Sequence, residues 1–89
     1  MMEIKQLKYF VEVARREHIS DAALELNIAQ SAVSRQITQL EKELNVTLFK
    51  RSGRNIILTS EGKKLMSQAT QILKQMDHTI QLFKQQAST

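Results

Sequence analysis

Gln30, Ser31, Ser34 and Arg35 are the residues of this 89-residue chain whose types and spacing could do chemistry. They lie in IAQSAVSRQITQLEKEL, residues 28–44, whose apolar positions recur with a helical period. Val33, Ile37, Leu40 and Leu44 are separated by four, three and four residues and form one narrow stripe. At roughly 100° per residue, Ser31, Arg35, Thr38 and Lys42 fall on the opposite side, flanked by Ser34 and Gln39. The chemistry available there is hydrogen bonding to planar edges. The Gln30 amide can pair with adenine and the Arg35 guanidinium with guanine, each through two hydrogen bonds, while the serines can reach bases or phosphates. Thr38 and Gln39 stand a turn further on, at the edge of such a site. No acidic residue occurs between Asn27 and Thr38, and Glu41 and Glu43 come only where the helix would leave a groove.

A second group follows in VTLFKRSGRNIILT. Lys50, Arg51 and Arg54 cluster at or near RSGRN, and Lys63 and Lys64 follow shortly after. Arg51 and Arg54 suit a minor groove, especially a narrow A·T-rich one. Lys50, Lys63 and Lys64 suit phosphates, where they supply affinity and salt dependence without sequence information. Ser20, at the start of another helix, is placed to bring free backbone N–H groups to a phosphate. Taken singly, each is an ordinary solvated side chain; the joint pattern is what points to a polyanion. The charge distribution agrees with it. Residues 1–27 carry four basic and five acidic groups, residues 28–64 seven and three, and residues 65–89 two and one, so the net +4 is concentrated in the middle.

Other chemistries find little support. Without cysteine there is no disulfide or thiolate metal site, and His18 and His78 are too far apart in sequence to suggest a metal pair. The chain has neither a phosphate-cradling glycine loop nor a nucleophile and base at a credible spacing, so we expect no enzyme, cofactor or metal. MMEIKQLKYF does not resemble a signal peptide, and no apolar run approaches the ~20 residues needed to span a bilayer. The expectation is a soluble cytoplasmic protein without a membrane partner.

The elements that must position these residues are mostly helical, since the chain has no Pro and only Gly53 and Gly62 as glycines. A first helix is predicted from about Glu3 to Glu17, with Ile4, Leu7, Phe10, Val11 and Ala14 as its buried stripe. HISDAALELN reads as a restart, with Ser20 as N-cap, Asp21 in the first turn and Ile19 stapled to Leu24. Ala22, Ala23 and Leu26 would face inward, and Asn27 would end the helix in a left-handed conformation. A short helix, a three-residue turn and the longer helix from Gln30 make a helix-turn-helix. The β-branched and aromatic residues around RSGRN predict a hairpin with Gly53 at its tip, hence a winged helix-turn-helix. Thr59 caps a last helix, with Glu61 in its first turn, running to about Gln86 over roughly 40 Å. Leu65, Ala69, Ile72, Met76 and Phe83 hold near-heptad spacing there, broadened by Met66, Leu73 and Ile80, with Thr79 as the weak place. So long a stripe predicts a homodimer through this helix, with folding back onto the first helix as the competing arrangement.

LKYFVEVAR, ISDAALELNIAQSAVSRQITQLEKELNVTLFKR and ILTSEGKKL together resemble the N-terminal region of LysR-type bacterial transcriptional regulators, across essentially the whole chain. REHISDAA, AQSAVSRQI and ELNVTLFKRSGRNIILT are most similar to the branch containing the glutamate synthase operon activator. The resemblance implies a mainly α fold: a winged helix-turn-helix over residues 1–58 and a linker helix over 59–89 that pairs antiparallel. It implies sequence-specific, dimeric binding of double-stranded DNA at an interrupted palindrome, in control of amino-acid or nitrogen metabolism genes. DNA contacts carry over onto Gln30, Ser31, Ser34 and Arg35, and onto Arg51 and Arg54 around the wing. It further implies a C-terminal effector-sensing domain, absent from these residues, through which a small molecule would act, and full-length relatives that commonly assemble as tetramers. Two departures stand out: many relatives have Ser at the position of Ala29 and Pro at that of Ser31. The first removes a side-chain cap worth about 0.5–2 kcal/mol. The second adds a hydroxyl on the outward side. The reading from a different class is a dimeric helical adaptor whose basic surface binds an acidic protein partner.

Overall fold

The first three helices each end on a residue with positive φ: Glu17 (60°), Asn27 (57°) and Asn45 (56°). In each case the capping N–H turns back to a helix carbonyl, Val13 for Glu17, Ala23 and Leu24 for Asn27, and Glu41 and Lys42 for Asn45. These left-handed stops give sharp reversals, so short helices pack across one another. The structure, a computed structural model, describes the backbone of residues 1–87 and the side chains of residues 1–84. The last two positions of the expected linker region lie outside the described residues. The elements are α1 (Ile4–Arg16), α2 (Ile19–Leu26), α3 (Gln30–Leu44), β1 (Phe49–Ser52), β2 (Asn55–Leu58) and α4 (Ser60–Ala87). The fold is mainly helical, with one antiparallel hairpin between α3 and α4.

One core joins α1, α2 and α3. Leu7, Phe10, Val11 and Val13 from α1 meet Ala22 and Ala23 from α2 and Val33, Ile37 and Leu40 from α3, with Leu48 and Ala69 closing it. The alanine pair is fully enclosed, which lets α2 approach closely, and burying this apolar surface is the main stabilising term. The predicted α1 stripe needs correction at both ends: Ile4 is exposed and Ala14 only half-buried, while Val13 and Gln6 go inside. Gln6 is tolerated there because its Oε1 accepts the Glu3 N–H at 3.0 Å, tying down the helix start. Leu44 is likewise outside the core, at 38% exposure.

The start of α2 also differs from expectation. Its cap position is His18, in extended conformation (φ −144°, ψ 129°), so Ser20 lies inside the first turn instead of capping it. The tight left-handed turn at Glu17 leaves one residue, His18, before Ile19 must go inward to the core. The Ile19–Leu24 staple does not form, because Leu24 is 80% exposed.

The hairpin pairs Phe49 with Leu58, Lys50 with Ile57, Arg51 with Ile56 and Ser52 with Asn55, leaving Gly53 and Arg54 as a two-residue turn. Gly53 has φ +61°, the left-handed geometry expected of the tip. Thr59 then starts α4: its hydroxyl accepts the Gly62 N–H at 3.0 Å and donates to the Thr47 carbonyl. The first half of α4 lies along α1. Ala69 is wholly enclosed there, with Leu65, Met66, Ile72 and Leu73 packed around it. The folding back that competed with dimerisation therefore accounts for this half. Ala69, assigned by spacing to an interface between copies, belongs to the chain's own core. Farther along, Ile80, Leu82 and Phe83 are exposed, at 43%, 48% and 66%.

Candidate nucleic-acid interface

The α3 helix begins without a side-chain cap. Ala29 is extended (φ −69°, ψ 145°) and only its carbonyl serves the helix, accepting the Ala32 and Val33 N–H groups at 3.1 and 3.2 Å. Among the described residues, the Gln30 and Ser31 N–H groups have no protein acceptor. Such a helix start presents donors and the positive end of the dipole outward. Val33, Ile37 and Leu40 anchor the helix from below. Gln30, Ser31, Ser34, Arg35, Thr38 and Gln39 are all exposed, as the sequence spacing requires. Arg35 takes part in no ion pair among the described residues, so its guanidinium is not neutralised by a neighbouring carboxylate.

The wing contributes a second cationic set. Lys50 and Arg51 on β1 and Arg54 in the turn are all exposed. Adjacent strand residues point to opposite faces, so Lys50 and Arg51 do not share one. Arg51 and the turn residue Arg54 sit at the outer end of the hairpin. Lys63 and Lys64 lie exposed in the first turns of α4, where Lys64 is engaged by Glu61 at 3.1 Å. That leaves Lys63 as the less encumbered of the two. Ser20 is exposed in the first turn of α2, close after the cap position, and its hydroxyl makes no capping bond.

Several residues that hold this surface together were not legible in advance. Glu41, expected only to mark where the helix leaves a groove, accepts the Leu48 N–H at 2.7 Å and so fixes the chain between α3 and the wing. Arg16 bridges α1 to α2 through Glu12 at 2.9 Å and Glu25 at 3.3 Å. The Glu12 hydrogen bond, followed by the Glu25 charge, holds the Arg16 pKa above its ordinary value. A glutamate four residues before a helix end, followed by a tight turn, is the kind of signal that could have located the Glu41 bond. The other contacts depend on tertiary placement. Among the described residues no cluster of His, Cys, Asp and Glu could hold a metal ion, and no helix is long and apolar enough to cross a membrane.

Comparison with known proteins places the arrangement. The model for the bacterial regulatory helix-turn-helix proteins of the lysR family matches residues 4–63. The transcriptional dual regulator GltC of Bacillus subtilis strain 168 is 57% identical over 77 residues, covering 86% of this chain and 26% of that protein. Among solved structures, the BenM DNA-binding domain in complex with catB site 1 DNA superposes with a TM-score of 0.93 at 38% identity, over 99% of this chain and 98% of that one. The CbnR DNA-binding domain bound to DNA gives 0.88 at 36% identity, over 97% and 99%. The chain spans about a quarter of the length of the curated relatives it matches. The order of three helices, hairpin and long helix and the match through residues 4–63 make this chain a member of the LysR family of bacterial regulatory helix-turn-helix proteins.

Proposed function

We propose that the chain is a sequence-specific reader of double-stranded DNA acting in bacterial transcriptional regulation. The observation that carries this is the exposed, acid-free first half of α3, anchored by Val33, Ile37 and Leu40 and accompanied by a cationic hairpin. In this reading Gln30, Ser31, Ser34 and Arg35 meet base edges in the major groove. Thr38 and Gln39 reach its margin, and Arg51 and Arg54 enter the adjacent minor groove. Lys50, Lys63, Lys64 and the α2 start at Ser20 meet phosphates. The similarity to two DNA-bound domains supports the same docking.

The protein acts as a homodimer on an interrupted palindrome, through the far part of α4. A groove of about 600 Å³ runs between α1 and α4, lined by Val11, Leu26, Leu73 and Met76 together with charged residues including Lys8, Glu12 and Asp77, and Ile80 and Phe83 are exposed farther along α4. Residues 1–58 form the DNA-reading unit and residues 59–89 the linker. Small-molecule control and tetramer formation belong to a domain outside these residues, and the whole protein works in the cytoplasm. The likeness to GltC favours genes of amino-acid and nitrogen metabolism as targets.

Selection of binding sites from random duplex DNA, followed by a salt titration on the recovered sequence, tests the reading. A defined site should emerge, with affinity falling linearly in log–log form as salt rises. Arg35→Ala should cost about 1–3 kcal/mol and relax preference at one base position, whereas Lys63→Ala should weaken all duplexes alike. Failure to enrich any sequence would reject the proposal.

A further inference from the structure

A two-stranded hairpin is marginal by itself in water and takes its attitude from what it docks against. The base of this wing is held by Thr59, whose N–H donates to the Leu48 carbonyl at 3.0 Å, and by Phe49, whose ring stands 5.4 Å from that of Phe10. The outer half is held by a different part of the molecule. Ile56, the cross-strand partner of Arg51, donates its N–H to the Glu17 carbonyl at 2.9 Å. The neighbouring Asn55 amide reaches Glu17 Oε1 at 3.5 Å. The Glu17 carbonyl is free to accept because of its backbone. At φ 60° and ψ 17° it ends α1, its own N–H returns to Val13 at 2.8 Å, and its carbonyl is released from the helix toward β2. A left-handed glutamate is uncommon, and here the strained conformation is what supplies the acceptor.

We propose that Glu17 is a positioning residue for the wing, setting where Arg51 and Arg54 enter the minor groove. The proposal rests on the DNA-binding reading above. Arg54 directly precedes Asn55 and Arg51 is the cross-strand partner of Ile56, so both arginines adjoin the two β2 residues that Glu17 grips. The α3 helix is anchored independently through Val33, Ile37 and Leu40. Loosening the grip therefore moves the minor-groove cations and leaves the major-groove helix in place. The carbonyl sets the distance of β2 from the α1–α2 turn, and the carboxylate sets its rotation through Asn55.

The test uses the 89-residue chain on the duplex recovered by site selection, with two footprints read side by side. Hydroxyl-radical cleavage reports the minor groove under the wing, and guanine N7 methylation reports the major groove under α3. Glu17→Ala, which keeps a side chain at the left-handed position, should weaken binding by about three- to tenfold. It should lose minor-groove protection and retain N7 protection. Glu17→Gln, whose amide oxygen still accepts from Asn55, should restore both affinity and footprint, and Asn55→Ala should behave as Glu17→Ala does. Wild-type wing protection and affinity in Glu17→Ala overturn the proposal. So does a parallel loss of both footprints, which would mark a merely structural role. If Glu17→Ala fails to fold, Asn55→Ala decides by the same criteria. A wild type protected only in the major groove would sink the wing proposal alone, whereas a wild type that selects no duplex would sink the DNA-binding reading and this proposal with it.

Discussion

Thr59 and Gly62 show how much of the wing's attachment rests on single residues. The Thr59 hydroxyl both caps α4 and holds the Thr47 carbonyl, so it joins the linker helix to the connection between α3 and β1. Thr59→Val keeps the shape and removes both bonds; thermal unfolding should show a loss of about 1–2 kcal/mol. A Cβ on Gly62 would stand 2.2 Å from the Leu48 carbonyl oxygen and 2.9 Å from a Leu58 methyl. Gly62→Ala must push α4 away from the chain entering β1, at a cost of about 1–3 kcal/mol from overpacking. A Tm equal to the wild-type value would show that the close approach is dispensable. The cap at Thr59 and the helix-favouring Glu61 are legible in the sequence, because capping is a local property. The reason for a glycine at 62 is not, because Leu48 comes to that position only after the hairpin has folded back.

At the scale of elements, local chemistry and tertiary packing divide the outcome in a recognisable way. The left-handed Asn27, the hairpin tip at Gly53 and the buried Val33, Ile37 and Leu40 were predictable, each from a residue preference or a period inside one element. The start of α2 was not. Ser20 has the better capping side chain, yet His18 takes the cap position because the turn at Glu17 and the burial of Ile19 set the register. The apolar stripe of α4 divides for a similar reason: Leu65, Met66, Ala69, Ile72 and Leu73 pack within the chain, while Ile80 and Phe83 stay exposed. Heptad spacing identifies an apolar face of α4 without saying whether α1 or another chain covers it. The open start of α3 yields a prediction of its own. Ala29 already has the extended backbone of a cap, so Ala29→Ser should stabilise the fold by about 0.5–1 kcal/mol. For a domain of this size that corresponds to a rise in Tm of roughly 2–8 °C. If the free N–H groups of Gln30 and Ser31 receive a DNA phosphate, the added hydroxyl should compete for them and lower affinity even as Tm rises.

The described residues measure 52 × 26 × 21 Å, and their long dimension reflects a helix that outreaches the body it packs on. Up to Leu73 the apolar residues of α4 have partners within the chain. Beyond that point Ile80, Leu82 and Phe83 remain in water, an arrangement that burial against a second copy would relieve. The test of dimerisation therefore belongs at these positions and not at Ile72, whose side chain already packs on the core and whose replacement by Glu would mix folding with assembly. The double variant Ile80→Glu, Phe83→Glu should keep the wild-type helical content, because both residues are exposed in the single chain. It should sediment as a monomer at concentrations where the wild type is dimeric. On DNA the two effects should separate: affinity for a single half-site should stay nearly unchanged, while the advantage of a duplex carrying two half-sites should shrink by a factor of about 100 or more. A wild type that sediments as a monomer would defeat the dimer directly. A double-glutamate variant that still prefers the two-site duplex would move the interface elsewhere on the molecule, with the groove between α1 and α4 the next surface to substitute.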